Sequence, residues 1–218
     1  MKTALVFGSS GLIGGHLLNE LIQSDNYNKI KLFVRSDHGS NHSKTEIIKT
    51  DFNNLENHKE DIKGDDCFFC IGTTKKNSPD KNEYKRVELD VPKKIAQIAK
   101  SNLVNSFVFV SSGYADPNSS GDYLKFKGLV EEELKRLSFS KLGIMRPSFL
   151  MGDRKEKRVG EKVGIFIFKL LSPLFLGPLK KMKPIHSKKV AKAMVEITNG
   201  DFKQNVFESN EIVEVSNS

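Results

Sequence analysis

Apolar residues along this chain come in short bursts separated by longer stretches of mixed polarity, and the two kinds of segment alternate. The first burst, Thr3-Ala-Leu-Val-Phe7, predicts a strand. Five more are predicted at Lys29–Val34, Thr45–Lys49, Asp66–Ile71, Ser106–Ser111 and Lys141–Arg146, short runs rich in Val, Ile or Phe followed by turn-forming residues. Between several of them, Leu12–Gln23, Glu83–Lys100 and Tyr123–Leu137 read as helices. Ser187–Thr198 predicts one late helix, and Val206–Val215 one or two short peripheral strands. Strands alternating with helices imply right-handed crossovers and therefore an α/β fold: a doubly wound parallel sheet with helices on both faces. Ligands of such a sheet bind beyond the carboxyl ends of its strands.

A length of 218 residues suits one domain, 1–218, in which 152–218 contributes a small C-terminal cap. The most apolar stretch, Val163–Leu179, carries Lys169 and is broken by Pro173, Gly177 and Pro178. That argues against a transmembrane span and fits a lid, a homodimer face or a membrane-touching patch. No charged-then-apolar leader opens the chain, which argues against secretion and for a cytoplasmic address. Cys67 and Cys70 are three apart in an apolar run, so on a strand their thiols would diverge. Buried structural thiols are expected, and no metal. The formal net charge of +8 is mostly lysine, with one concentration between Lys180 and Lys192. No aromatic residues interleave with that cluster, so a solvated basic face is expected and no nucleic acid.

Chemistry enters where the first strand breaks into Gly8-Ser9-Ser10-Gly11-Leu12-Ile13-Gly14. Gly8 permits a sharp turn, Gly11 a close approach to a pyrophosphate, and Gly14 a helix packed tight against its strand. The helix N-terminus then favours an anion, which points to a dinucleotide. Further on, the fifth burst ends in Val110-Ser111-Ser112-Gly113 and is followed by Tyr123 and Lys127, four apart on one helix face. An ammonium beside a phenol favours the phenolate, so this tyrosine can pass a proton to or from a carbonyl or alcohol oxygen. A serine hydroxyl, Ser111 or Ser112, would hydrogen-bond the same oxygen. Arg35 follows the second strand where an acidic residue would grip a ribose 2′-OH; an arginine there favours NADP (NADPH) over NAD. Asp37, two residues on, weighs the other way.

The sequence resembles the short-chain dehydrogenase/reductase superfamily of Rossmann-fold proteins in its extended or atypical NAD(P)-binding branch. Within that branch it is similar to the Tat-interactive oxidoreductase-like group, and it also resembles NAD-dependent epimerases/dehydratases. The matching stretches are Gly8–Gly14, Cys70-Ile-Gly72-Thr73-Thr74, Val110–Gly113, Tyr123 and Lys127 with Gly128-x-Val130-Glu131, and Arg146–Arg154. The resemblance implies Tyr123 as acid/base, Lys127 as its activator and ribose ligand, and Ser111 or Ser112 as the oxygen-binding hydroxyl. It further implies cofactor contacts from Gly72, Thr73 and Thr74, and from Arg146, Pro147 and Ser148 beside a nicotinamide. Asp51 and Phe52 resemble an adenine-contacting pair, although Asp51 can equally cap the following helix. Two departures stand out: Glu88 occupies a position where many relatives carry an asparagine, and the cap is short. His186 is expected as a surface or cap-anchoring residue. The expected activity is hydride transfer between NADP(H) and a small carbonyl or alcohol. The alternatives are an NADPH-binding regulator with little turnover and a sugar-nucleotide epimerase or dehydratase.

Overall fold

Along the first strand Ala4 and Val6 face one side while Leu5 and Phe7 face the other, and all four are buried, because helices cover both faces. The computed structural model describes residues 1–36, 41–152 and 183–218. Its strands are β1 (Lys2–Phe7), β2 (Tyr27–Val34), β3 (Thr45–Lys49), β4 (Asp66–Phe69), β5 (Ser106–Val110), β6 (Lys141–Arg146), β7 (Leu150–Met151), β8 (Ile185–His186) and β9 (Val206–Glu208). Seven of them form one all-parallel sheet in the order β3-β2-β1-β4-β5-β6-β9, and β7 pairs with β8 beside it. This is the doubly wound Rossmann arrangement expected from the alternating pattern. Its topological switch lies between β1 and β4, where the chain leaves one half of the sheet and starts the other.

One face is covered by α1 (Leu12–Gln23) and α5 (Ser187–Asn199), which meet Val6, Leu32, Phe68, Val108 and Met145 in one apolar cluster. The opposite face is covered by α3 (Val91–Ser101) and α4 (Asp122–Leu137), over Phe7, Phe33, Phe69, Phe107 and Phe109. Cys67 belongs to the second cluster and Cys70 packs on the first, so the two thiols do diverge across the sheet. At the amino ends of the strands, buried Asp66 accepts from the Tyr27 hydroxyl at 2.7 Å and pairs with Lys2 at 3.1 Å. Lys2 also donates to the Thr198 carbonyl at 3.0 Å, fastening the start of the chain to α5.

Three elements differ from the expectations. Residues 206–215 are one strand and then a helix, α6 (Ser209–Val215), and not a pair of strands. Glu208 and Glu211 form a reciprocal capping box that starts the helix, and Ile212 and Val215, three apart, bury its inner face. The helix predicted over 83–100 begins as α2 (Lys81–Lys85), passes through one π turn at Arg86–Asp90, and continues as α3. Pro92 has no N–H for the carbonyl of Glu88 four residues earlier, which opens the α-helical ladder there, and Val91 N–H instead bonds Arg86 O. Finally, the chain from Ile185 onward is built into the sheet and its helical layer. Of the expected cap, residues 153–182 lie outside the described residues, with Asp153, Arg154, the apolar Val163–Leu179 segment and part of the lysine cluster. Asp37 lies outside them as well. No helix among the described residues is long and apolar enough to cross a membrane.

Candidate cofactor and catalytic site

The turn after β1 lies at the switch point. Gly8 has φ +92°, and a Cβ there would meet the Cys70 carbonyl carbon and the Ile71 nitrogen at 2.9 Å. At Gly14 a Cβ would come within 2.0 Å of the Gly8 carbonyl oxygen, so any side chain would push α1 off the strand. Gly11 is the N-cap of α1 and offers no side-chain cap, nor is there an acidic residue in the first turn. The first N–H groups of the helix therefore end on a turn with no carboxylate of its own to satisfy them, a cradle that fits the pyrophosphate of a dinucleotide. Ser9 is buried in this turn, Ser10 is exposed and Ile13 reaches into the core.

Along the neighbouring strand ends, Arg35 stands exposed after β2, and Asp51 and Phe52 follow β3. Asp51 accepts from the Asn53 backbone N–H at 2.9 Å and from its side-chain amide at 2.8 Å, hydrogen bonds that hold its carboxyl below the usual range. This is a local turn before the short 3₁₀ helix Leu55–His58, whose N-cap is Asn54, so Asp51 does not cap that helix. Phe52 takes φ +64° and tilts its ring toward Phe7. Arg86, which the sequence reading passed over, forks onto Glu83 at 2.7 and 2.8 Å and donates to the Phe52 carbonyl at 3.3 Å. Its signal was the i,i+3 spacing of Glu83 and Arg86 in the helical stretch between β4 and β5.

Tyr123 and Lys127 share a face of α4 at the carboxyl edge of the sheet. Tyr123 is 39% exposed and Lys127 only 3%. The Lys127 ammonium lies 5.9 Å from the centre of the Tyr123 ring, 4.9 Å from that of Phe109 and 3.3 Å from the Val110 carbonyl to which it donates. It also lies 3.0 Å from Oε2 of Glu88, itself fully buried. Burial works against the ammonium, but Glu88 first and Tyr123 next outweigh it, so the Lys127 pKa stands above the ordinary lysine value. The other Glu88 oxygen accepts from the Thr73 backbone N–H at 2.5 Å, under the Cys70–Thr74 turn. Gly72 lies directly over it, with room for no more than an ordinary contact. Thr73 Oγ1 meets Ser78 Oγ at 3.0 Å, and Thr74 accepts from Asn77 N–H in a local turn.

The two serines part company. Ser111 is buried and donates to Glu131 Oε1 at 2.5 Å; Glu131 in turn pairs with Arg146 at 2.6 Å. Arg146 spends its remaining donors on the Ala115 carbonyl and Glu208. Ser112 lies outside this network, half-buried, with a 3.3 Å contact to the Gly113 carbonyl. After β6, Pro147 is buried, while Ser148 donates through N–H to Ser209 Oγ and through Oγ to the Lys183 carbonyl. Tyr114 and Phe149, both exposed, flank this edge in the loops after β5 and β6. Among the described residues no three His, Cys, Asp or Glu side chains gather as a metal site requires. His186 caps α5 by accepting from Lys188 N–H.

Comparison with known proteins adds to this geometry. The model of a family described as NAD(P)H-binding matches residues 8–201. Protein HTATIP2 of Rattus norvegicus is 33% identical over 166 residues, covering 73% of this chain and 67% of its own length. The mitochondrial protein FMP52 of Eremothecium gossypii is 30% identical over 210 residues, covering 93% of this chain and 91% of its own. Among solved structures, a UDP-N-acetylglucosamine 4-epimerase from Methanobrevibacter ruminantium superposes with TM-score 0.70 at 20% identity, covering 98% of this chain and 80% of that one. WbmH of Bordetella bronchiseptica, solved with NAD+, gives TM-score 0.69 at 16% identity, covering 95% and 75%. At such identities the structural likeness speaks for the fold.

Proposed function

The chain belongs to the NAD(P)H-binding family, and from that premise we propose that it is an oxidoreductase moving a hydride between a nicotinamide cofactor and a small carbonyl or alcohol. The observation that carries the reading is Tyr123, open to solvent at the switch-point edge with a buried ammonium beside its ring. The residues that would hold the cofactor are the Gly8–Gly14 turn, Arg35 and the Cys70–Thr74 turn, and NADP is our preferred form because Arg35 offers a cation to a 2′-phosphate. The cofactor, when bound, supplies or accepts the hydride. Tyr123 gives its phenolic proton to the carbonyl oxygen during reduction and takes it back from the alcohol during oxidation. Ser112 donates a hydrogen bond to that oxygen; Ser111, spent on Glu131, holds the end of β5 in place. Lys127 supports the phenolate by its charge.

Calorimetric titration with NADPH and NADH, on wild type and Arg35→Ala, tests the cofactor. Selective weakening of NADPH is expected, and no binding of either nucleotide would end the proposal. A second reading, a cofactor-binding regulator with little turnover, is favoured by the Lys127–Glu88 pair, which ties down the lysine that a fast catalyst would leave to its tyrosine. Tyr123→Phe separates the two, since only a regulator keeps its output. The cytoplasmic address stays our reading, and the FMP52 relatives name the mitochondrial alternative that imaging of the tagged protein decides.

A further inference from the structure

Two charges buried against each other at the centre of the candidate site carry a consequence for its acid–base behaviour. We infer that Glu88 is a positioning residue: acting through Lys127, it sets the pH at which the Tyr123–Lys127 pair gives up its first proton. The inference rests on the assignment of that pair as the acid–base centre.

The geometry is specific. Glu88 sits on the π turn that Pro92 opens, with one carboxylate oxygen held by the Thr73 N–H at 2.5 Å and the other 3.0 Å from Lys127 Nζ. Lys127 in turn stands 5.9 Å from the Tyr123 ring centre. A lone ammonium there would draw a proton off the phenol; an ammonium already matched by a carboxylate does so less, because the phenol faces a neutral pair. Removing the carboxylate leaves a net positive site, and such a site loses its first proton at lower pH whether the proton leaves the phenol or the ammonium. Other groups near the pair are already accounted for. From the turn after β4, the Cys70 thiol is pushed up to about 12 by burial and stays neutral. On α4, Asp122 pairs with Lys75 at 3.0 Å on the exposed side, and Glu131 pairs with Arg146 at 2.6 Å. From β5 only the Phe109 ring and the Val110 carbonyl reach Lys127 among the described residues.

The chain has four tyrosines and no tryptophan, so tyrosinate absorption can be followed cleanly in the nucleotide-free protein. The difference between each variant and its Tyr123→Phe counterpart isolates Tyr123. In Glu88→Gln, which keeps an acceptor for Thr73, the Tyr123 midpoint is expected about one pH unit lower than in wild type. Lys127→Met should move it up, and the double variant should return it toward wild type. The inference is overturned if Glu88→Gln moves neither the Tyr123 midpoint nor the acid limb of kcat/KM to lower pH. Should Glu88→Gln alone fail to fold, Lys127→Met is compared with the double variant, which buries no unpaired charge; the single variant is expected to titrate higher, and equal midpoints overturn the inference. With cofactor and an alcohol substrate, the acid limb of the pH profile of kcat/KM should shift with the midpoint. If no nicotinamide nucleotide binds at all, the oxidoreductase reading falls while the tyrosinate titration still decides the role of Glu88.

Discussion

Ser111 and Ser112 are neighbours in sequence to which the proposed function gives different roles, and substituting each to alanine should separate them. Ser111→Ala removes one of the two hydrogen bonds to buried Glu131 Oε1, Arg146 Nε keeping the other at 2.9 Å, and is expected to cost about 1–3 kcal/mol in denaturant unfolding. Ser112→Ala should leave that midpoint unchanged and lower kcat. Tyr123→Phe is expected to reduce turnover by about 10²–10⁴-fold with NADPH affinity retained, measured by steady-state rates beside calorimetry. Lys127 adds a pH dependence of stability. Its folded pKa is raised, so the stabilisation is complete below the unfolded value of about 10.4 and is lost as pH climbs through the higher folded one. Thermal melts across the alkaline range should show that loss in wild type and lack it in Glu88→Gln/Lys127→Met. The bond that occupies Ser111 was hidden in the sequence, because it depends on Glu131, twenty residues away on another element. Glu88 was noticed only as a departure from the expected asparagine. That its carboxylate meets Lys127 required two helices to be brought together by the sheet.

Among the elements, strands and helices with a single strong period were legible: α1, β3 and β6 have the bounds that their apolar spacing predicts. Errors fell where local chemistry competes with that period. In 206–215 the apolar residues satisfied a strand pattern, yet the Glu208/Glu211 capping box decided for a helix. The π turn escaped because a proline two residues into α3 reads equally as an ordinary helix start. Gly14→Ala tests the tightest element contact: with Gly8 O only 2.0 Å from the added Cβ, the turn must open, and a loss of about 1–3 kcal/mol with abolished nucleotide binding is expected. Stability by denaturant and calorimetric titration together read it out. The thiol of Cys67, fully buried and raised by that burial, should resist alkylation until the protein unfolds.

For the molecule as a whole, the doubly wound sheet was readable because alternation of strands and helices leaves few topologies, whereas the fate of the C-terminal third was not. Ile185, Val190, Met194 and Phe207 belong to the core shared with β1 and α1. Elements far apart in sequence meet on one seam: α1 lies against α5, and Lys2 is fastened to Thr198 and Asn199. During synthesis, the apolar side of the first βα unit therefore stays bare until its lid of residues 187–199 leaves the ribosome. At about 5–20 residues per second that wait is on the order of 10–40 s, a long exposure for a face holding Leu17, Leu18 and Leu21. Until residues 187–199 emerge, that face of the nascent chain is open to chaperones and to other nascent chains.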